Sequence, residues 1–89
     1  MIKPRQTHVI KFVNYDILDE NLKRYTFPDT KEVYVTYFEE EPEEVKFGVW
    51  NMHGDTGEEY ITDFIVPISN VKSVRDLETD EYITSKLHS

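Results

Sequence analysis

The sequence predicts an α+β domain: an antiparallel sheet of four to five strands, a β-meander at its centre, one short helix packed on it and the option of a second, C-terminal helix. Three observations carry that expectation. The runs Val33–Phe38, Val45–Trp50 and Tyr60–Val66 alternate with the two-residue period of a strand. The linkers between them are acidic and hold Pro or Gly, as hairpin connections do. One stretch alone, Leu18, Leu22 and Tyr25, repeats at i, i+4 and i+7 like the apolar face of a helix.

Thr7 to Val13 reads as the first strand. His8, Ile10 and Phe12 share one face and Val9, Lys11 and Val13 the other. Apolar residues on both faces suit an interior strand, or one whose second face meets a helix or a partner. Asn14 to Tyr25 reads as the helix, with Asp16 as N-cap, Asp19 and Glu20 in the first turn and Lys23 and Arg24 near the end. Phe27-Pro28-Asp29 stops it, because Pro disfavours αR in the residue before it.

Glu32 to Glu39 is the clearest strand, with Val33, Val35 and Tyr37 on one face and Tyr34, Thr36 and Phe38 on the other. Glu39 to Glu44 follows, five acids in six residues around Pro42, and reads as a turn. Val45, Phe47 and Val49 then alternate with Lys46, Gly48 and Trp50; Gly48 marks a bulge or a close backbone approach. Gly54-Asp55-Thr56-Gly57 supplies the next turn. In Tyr60–Val66 the inward set is Tyr60, Thr62, Phe64 and Val66, with Asp63 outward. The alternative buries Ile61, Asp63 and Ile65 and requires a partner for the acid.

Ser69 to Ser89 allows two readings. Val71, Val74 and Leu77 at i, i+3 and i+6 fit a helix capped by Ser69, and Ser73–Leu77 fits a fifth, edge strand. Thr79-Asp80-Glu81 suits the start of a helix carrying Tyr82, Ile83 and Leu87.

Eighty-nine residues make one domain with one core and little room for an internal active site. Without cysteine there are neither disulfides nor thiolate metal sites. Met1 to His8 lacks the apolar stretch of a signal peptide and no run is long enough to span a bilayer, so a cytoplasmic location is expected. His8, His53 and His88 are too far apart in sequence to suggest a metal site, and no cofactor motif is present. Ser69, Ser73 and Ser85 lack the context of a nucleophile, and Gly54-x-x-Gly57 sits among acids, a poor setting for phosphate. An enzyme is not expected.

The charge map is the informative feature. Net charge is −8, which opposes direct contact with nucleic acid or anionic membrane. Glu39, Glu40, Glu41, Glu43, Glu44, Asp55, Glu58, Glu59 and Asp63 lie in one stretch with a single base, Lys46. The remaining nine acids are balanced by nine bases, so the whole excess sits on the meander. Those nine residues are the candidate partner-binding set, spaced to stand in for backbone phosphates. Trp50, Phe47 and Tyr37 are candidates for self-association into a homodimer, because so aromatic a sheet exceeds what one helix covers.

In being short, free of cysteine and rich in Tyr and Glu, with clustered acids on the meander of Glu32–Val66, the chain resembles the small acidic inhibitors that phages make against host proteins. The resemblance is one of composition and charge layout and rests on no motif. It implies binding without catalysis and a place in the bacterial host cell. The implied partners are basic nucleic-acid-binding proteins, such as nucleoid proteins, polymerases, repair enzymes or CRISPR effectors. It also implies frequent dimers. The function expected is therefore a DNA mimic. The alternatives are an assembly module or small β-barrel binding through an apolar sheet face, which salt would leave unaffected.

Overall fold

The computed structural model describes residues 6–83. Their strands are β1 (His8–Phe12), β2 (Glu32–Val35), β3 (Tyr37–Glu40), β4 (Glu44–Met52), β5 (Glu59–Pro67), β6 (Val71–Asp76) and β7 (Tyr82–Ile83). One helical turn, α1, covers Glu20–Lys23. The class is α+β with antiparallel pairing throughout, but there are two sheets rather than one. The first has the order β2-β1-β6-β7 and the second the order β3-β4-β5.

The division falls at Thr36, inside what reads as one strand. β2 pairs with β1 and β3 with β4, so a single extended run leaves one sheet and enters the other. At the bend the Thr36 N–H and hydroxyl both donate to the Gly48 carbonyl, at 2.8 and 3.3 Å. The inner faces of the two sheets meet in one core. Ile10, Phe12, Val33, Val35 and Val74 come from one side; Val45, Phe47, Val49 and Val66 come from the other. Phe12 and Phe47 meet across it with ring centroids 6.3 Å apart. Burying these side chains is worth roughly 1.5–3 kcal/mol each relative to exposure.

The helix is much shorter than the Asn14–Tyr25 stretch that the apolar spacing predicts. Its cap is Asp19, not Asp16, and the Asp19 carboxylate accepts from the Asn21 N–H at 2.8 Å. Upstream, the Asn14 side chain bonds the Asp16 N–H, which holds that segment in a turn. Leu18 and Leu22 still reach the core. Buried Asn70 closes this side of the molecule, bonding both the N–H and the C=O of Asn14.

Of the two sequence readings of Ser69 to Leu77 the strand is the one found, but it starts at Val71 and is an interior strand, not an edge. A 3-10 turn at Ile68–Asn70 leads into β6, which lies between β1 and β7. The register against β1 shifts between Lys11 and Phe12, so Lys72 is the extra residue of a bulge. That bulge lets Val71 and Val74 both face the core at a spacing of three, which in the sequence imitates a helix. Leu77 to Thr79 form a turn in place of a second helix start, Asp80 follows at φ 62°, and Tyr82 and Ile83 then form β7. Leu87 lies outside the described residues.

Gly48 is the close approach, not a bulge. It stands between Tyr37 on β3 and Asp63 on β5 in register. The Tyr37 ring lies over it, and a Cβ there would collide with Tyr37 Cε2 and come within 2.7 Å of Ile61 Cγ2. Gly48→Ala should destabilise the fold by about 1–3 kcal/mol. In a Tyr37→Ala background the same substitution should cost less, because the nearest clash is with the Tyr37 ring, while the contact with Ile61 remains. Urea unfolding of the two single variants and the double variant measures both effects; a clash with backbone would leave the cost the same in both backgrounds.

Candidate functional site

β4 organises the acidic segment because its two ends carry the two acidic connections. Its nine residues span about 26 Å at roughly 3.3 Å per residue. At one end Glu41, Pro42 and Glu43 make a tight turn closed by a bond from the Glu41 N–H to the Glu44 carbonyl, 2.9 Å. At the other, Asn51 holds the strand to the Tyr25 hydroxyl at 2.6 Å, and residues 53–58 make the loop. Gly57 takes φ +73°, which favours a residue without Cβ. The His53 and Tyr60 rings stack across the loop base at 4.6 Å.

Strand alternation sorts the candidates by face. Outward from the second sheet point Tyr37 and Glu39 on β3, then Glu44, Lys46, Gly48, Trp50 and Met52 on β4. Glu59, Ile61, Asp63 and Ile65 of β5 complete that face. Asp63 is exposed, while Phe64 is half-buried and Val66 buried, so the outward reading of Asp63 holds. Glu41, Glu43, Asp55 and Glu58 are exposed in the two connections. Glu40 differs from the rest: it lies on the inner side beside Phe38, and one of its carboxylate oxygens is buried without a hydrogen bond among the described residues.

The nine acids are therefore brought together as two end groups and a set on the outer face between them. None forms an ion pair among the described residues. The ion pairs found are His8–Asp76, Lys23–Glu20 and Arg75–Asp80, all outside the acidic stretch. Asp63 accepts a short bond from the Tyr37 hydroxyl at 2.5 Å, and Glu59 accepts from the Trp50 indole at 3.0 Å. Both bonds join side chains of the outer face, and the Tyr37 ring lies over Gly48.

Of the three residues read as a self-association patch, Tyr37 and Trp50 are half-buried on the outer face. Phe47 is not on it: with no exposure at all, it packs against Phe12 and Phe64 in the core. Its neighbours on β4 alternate with it, so it could never have shared a face with Trp50. The sequence reading missed Ile61 and Ile65, which are 48% and 59% exposed on the outer face, and Ile17, 64% exposed. Once Asp63 is placed outward, its i±2 neighbours Ile61 and Ile65 must go with it, and that was the available signal.

No group of three or more His, Asp or Glu side chains converges as a metal site among the described residues. No helix there is long and apolar enough to cross a membrane. A hollow of about 570 Å³ beside β2 is lined by Gln6, Phe27, Asp29, Thr30, Glu32 and Tyr34.

Partial burial raises the Tyr37 phenol to about 12, aided by its bond to Asp63 and by the negative charge of Asp63 and Glu39. The folded state thus holds this proton more tightly than the unfolded chain, whose tyrosines titrate near 10. The resulting stabilisation is complete below pH 10 and is lost as pH rises from there through about 12. In a spectroscopic titration the Tyr37 phenol should ionise late, and Tyr37→Phe should delete that step and flatten the alkaline loss of stability. A wild-type profile unchanged by Tyr37→Phe would overturn this assignment.

No protein-family model, curated protein or solved structure matches the chain.

Proposed function

We propose that this protein binds the nucleic-acid-binding surface of a basic protein and blocks it, as a mimic of the phosphate backbone. The reading is supported above all by nine carboxylates, none of them ion-paired among the described residues, on one meander. A chain that needed acids only for solubility would spread them. Here the rest of the sequence is neutral and the excess is concentrated. Unscreened like charges repel, so gathering them costs stability that a basic partner restores on binding.

Backbone phosphates along B-DNA present one charge per roughly 1.7 Å of axis, and proteins that bind them do so mainly through Lys and Arg. A surface with acids at both ends of a strand about 26 Å long, and Asp63 and Glu39 between, offers such a partner several contacts at once. The action is occupancy: no bond is made or broken. The expected setting is the interior of a bacterial host cell.

A second reading is favoured by one observation. Ile61, Ile65 and Met52 are exposed beside Trp50 on the same face, and an apolar assembly contact could use them. Salt separates the two, since screening weakens exposed charge pairs and leaves apolar contact nearly unchanged.

The test uses the immobilised chain, a bacterial lysate and elution by duplex DNA. Basic nucleic-acid-binding proteins displaced by DNA are the expected outcome. The variant carrying Glu41→Lys, Glu43→Lys, Asp55→Lys and Glu58→Lys should bind them about 100-fold more weakly or not at all. These four are exposed, so the fold is spared; Glu40, partly buried, is left intact. Partners that withstand both DNA and high salt, and bind the variant equally, would overturn the mimic.

A further inference from the structure

The second sheet ends in an open strand. Among the described residues β5 pairs with β4 on one side and with no strand on the other, over nine residues from Glu59 to Pro67. The phase of its hydrogen bonds follows from the hairpin. The His53 N–H bonds the Glu58 carbonyl at 2.9 Å, which makes that pair a bonded one. Counting along the register by twos, Tyr60, Thr62, Phe64 and Val66 bond β4. Glu59, Ile61, Asp63 and Ile65 therefore turn their N–H and C=O groups to the open side. The other ladder agrees: the Glu41–Glu44 bond gives the even residues of β4 to β3 and leaves the odd ones for β5.

An edge of this length with unpaired donors and acceptors is a template for another strand, and proteins usually cover or interrupt it. Among the described residues this one carries Glu59, Asp63 and the terminal Pro67 as its protection and no covering element. Beside it lies a groove of about 310 Å³ between β5 and the segment that enters α1, with Ile17, Leu18, Leu22 and Phe64 in its lining. A strand laid along β5 would put one set of side chains into that groove. The alternate set would come beside Ile61, Asp63 and Ile65 on the outer face.

We infer that the β5 edge takes up an extended segment of the basic partner by strand addition, with a Lys or Arg opposite Asp63 and apolar residues two positions to either side. The inference rests on the mimic reading for the charge of its occupant and on the open backbone for its conformation. Charge argues against a second copy in this place. Antiparallel pairing of β5 with itself brings the Glu58–Glu59 end of one copy toward the Glu43–Glu44 end of the other, and a two-fold centred on Asp63 sets that acid against itself. Like charges directly opposite destabilise a strand pair. A basic strand instead gains main-chain bonds from Ile61, Asp63 and Ile65, apolar contact with the two isoleucines, and an ion pair with the Asp63 oxygen that Tyr37 leaves free.

The test uses a synthetic, terminally blocked seven-residue peptide in which Thr and Leu alternate with an outward set of Val, Lys and Val. The readout is residue-resolved amide exchange of the full chain. Binding should slow exchange at Ile61, Asp63 and Ile65 at least tenfold and leave Tyr60, Thr62 and Phe64, already bonded to β4, almost unchanged. A peptide N-methylated on its edge-facing amides should fail to bind, and so should wild-type peptide on Ile65→Pro, which removes an open-side donor. The methylated peptide keeps the test valid if Ile65→Pro does not fold.

A basic partner that binds the chain without protecting the three open amides overturns strand addition and leaves the mimic reading standing. Equal strand addition by the peptide and by its Lys→Glu counterpart overturns the basic occupant and weakens the mimic. Protection of those amides without peptide also overturns the inference, a second copy being the occupant if it grows with concentration and the chain's own residues if it does not.

Discussion

The bend at Thr36 is the constraint on which the rest depends. One extended run has to serve two sheets, so its direction must change without an unpaired backbone group in the core. Thr36 achieves this by giving both its N–H and its hydroxyl to the Gly48 carbonyl. That contact ties β4 to the first sheet at its midpoint and brings Phe47 against Phe12. With β4 so placed, its partner β5 follows in register, and the two acidic connections are carried to opposite ends of the sheet. Gly48 serves a second purpose on the other side, where its bare surface accepts the Tyr37 ring and lets the hydroxyl reach Asp63 two strands away.

The molecule separates what folds it from what charges it. Its core is aliphatic and aromatic, and its ion pairs belong to the near-neutral remainder of the chain. Apart from Glu40, which lies on the inner side, the acidic side chains touch the fold through Asp63 to Tyr37 and Glu59 to Trp50. Such bonds orient carboxylates without neutralising them, since both donors are uncharged. The outer face that results is mixed: acids at its ends and centre, isoleucine and aromatic surface between. A face of that kind suits a partner with basic and apolar residues in alternation better than it suits a purely electrostatic one.

Much of this was legible in residue order. β1, β4 and β5 follow their alternation, and Asp63 points outward as the larger inward set of Tyr60, Thr62, Phe64 and Val66 requires. The charge segregation is visible by counting. The break at Thr36 was not legible, because Val33 to Phe38 runs without Gly or Pro and every residue in it favours a strand. Only the pairing partners, distant in sequence, decide where it divides. β6 was hidden by its bulge, which spaces Val71 and Val74 as a helix would. The short helix was hidden for a different reason: Leu18, Leu22 and Tyr25 do line one side, but Leu18 reaches the core from a turn before α1 begins. The exclusion of Phe47 from the outer face needed only its parity with Trp50, and its aromatic character outweighed that parity in the sequence reading.

The central claim is that the clustered carboxylates serve binding and do not hold the fold together. It is tested most directly by the melting temperature of the wild-type chain at pH 7 in rising sodium chloride, a salt chosen because sulfate would strengthen apolar burial by itself. If the acids only repel one another, screening should raise the melting temperature by several degrees. The variant Glu41→Gln, Glu43→Gln, Asp55→Asn and Glu58→Gln should start higher and rise less. A melting temperature that falls with salt, or a neutral variant less stable than wild type by more than about 1 kcal/mol, would contradict the claim, because the carboxylates would then be supplying attractions that the fold needs.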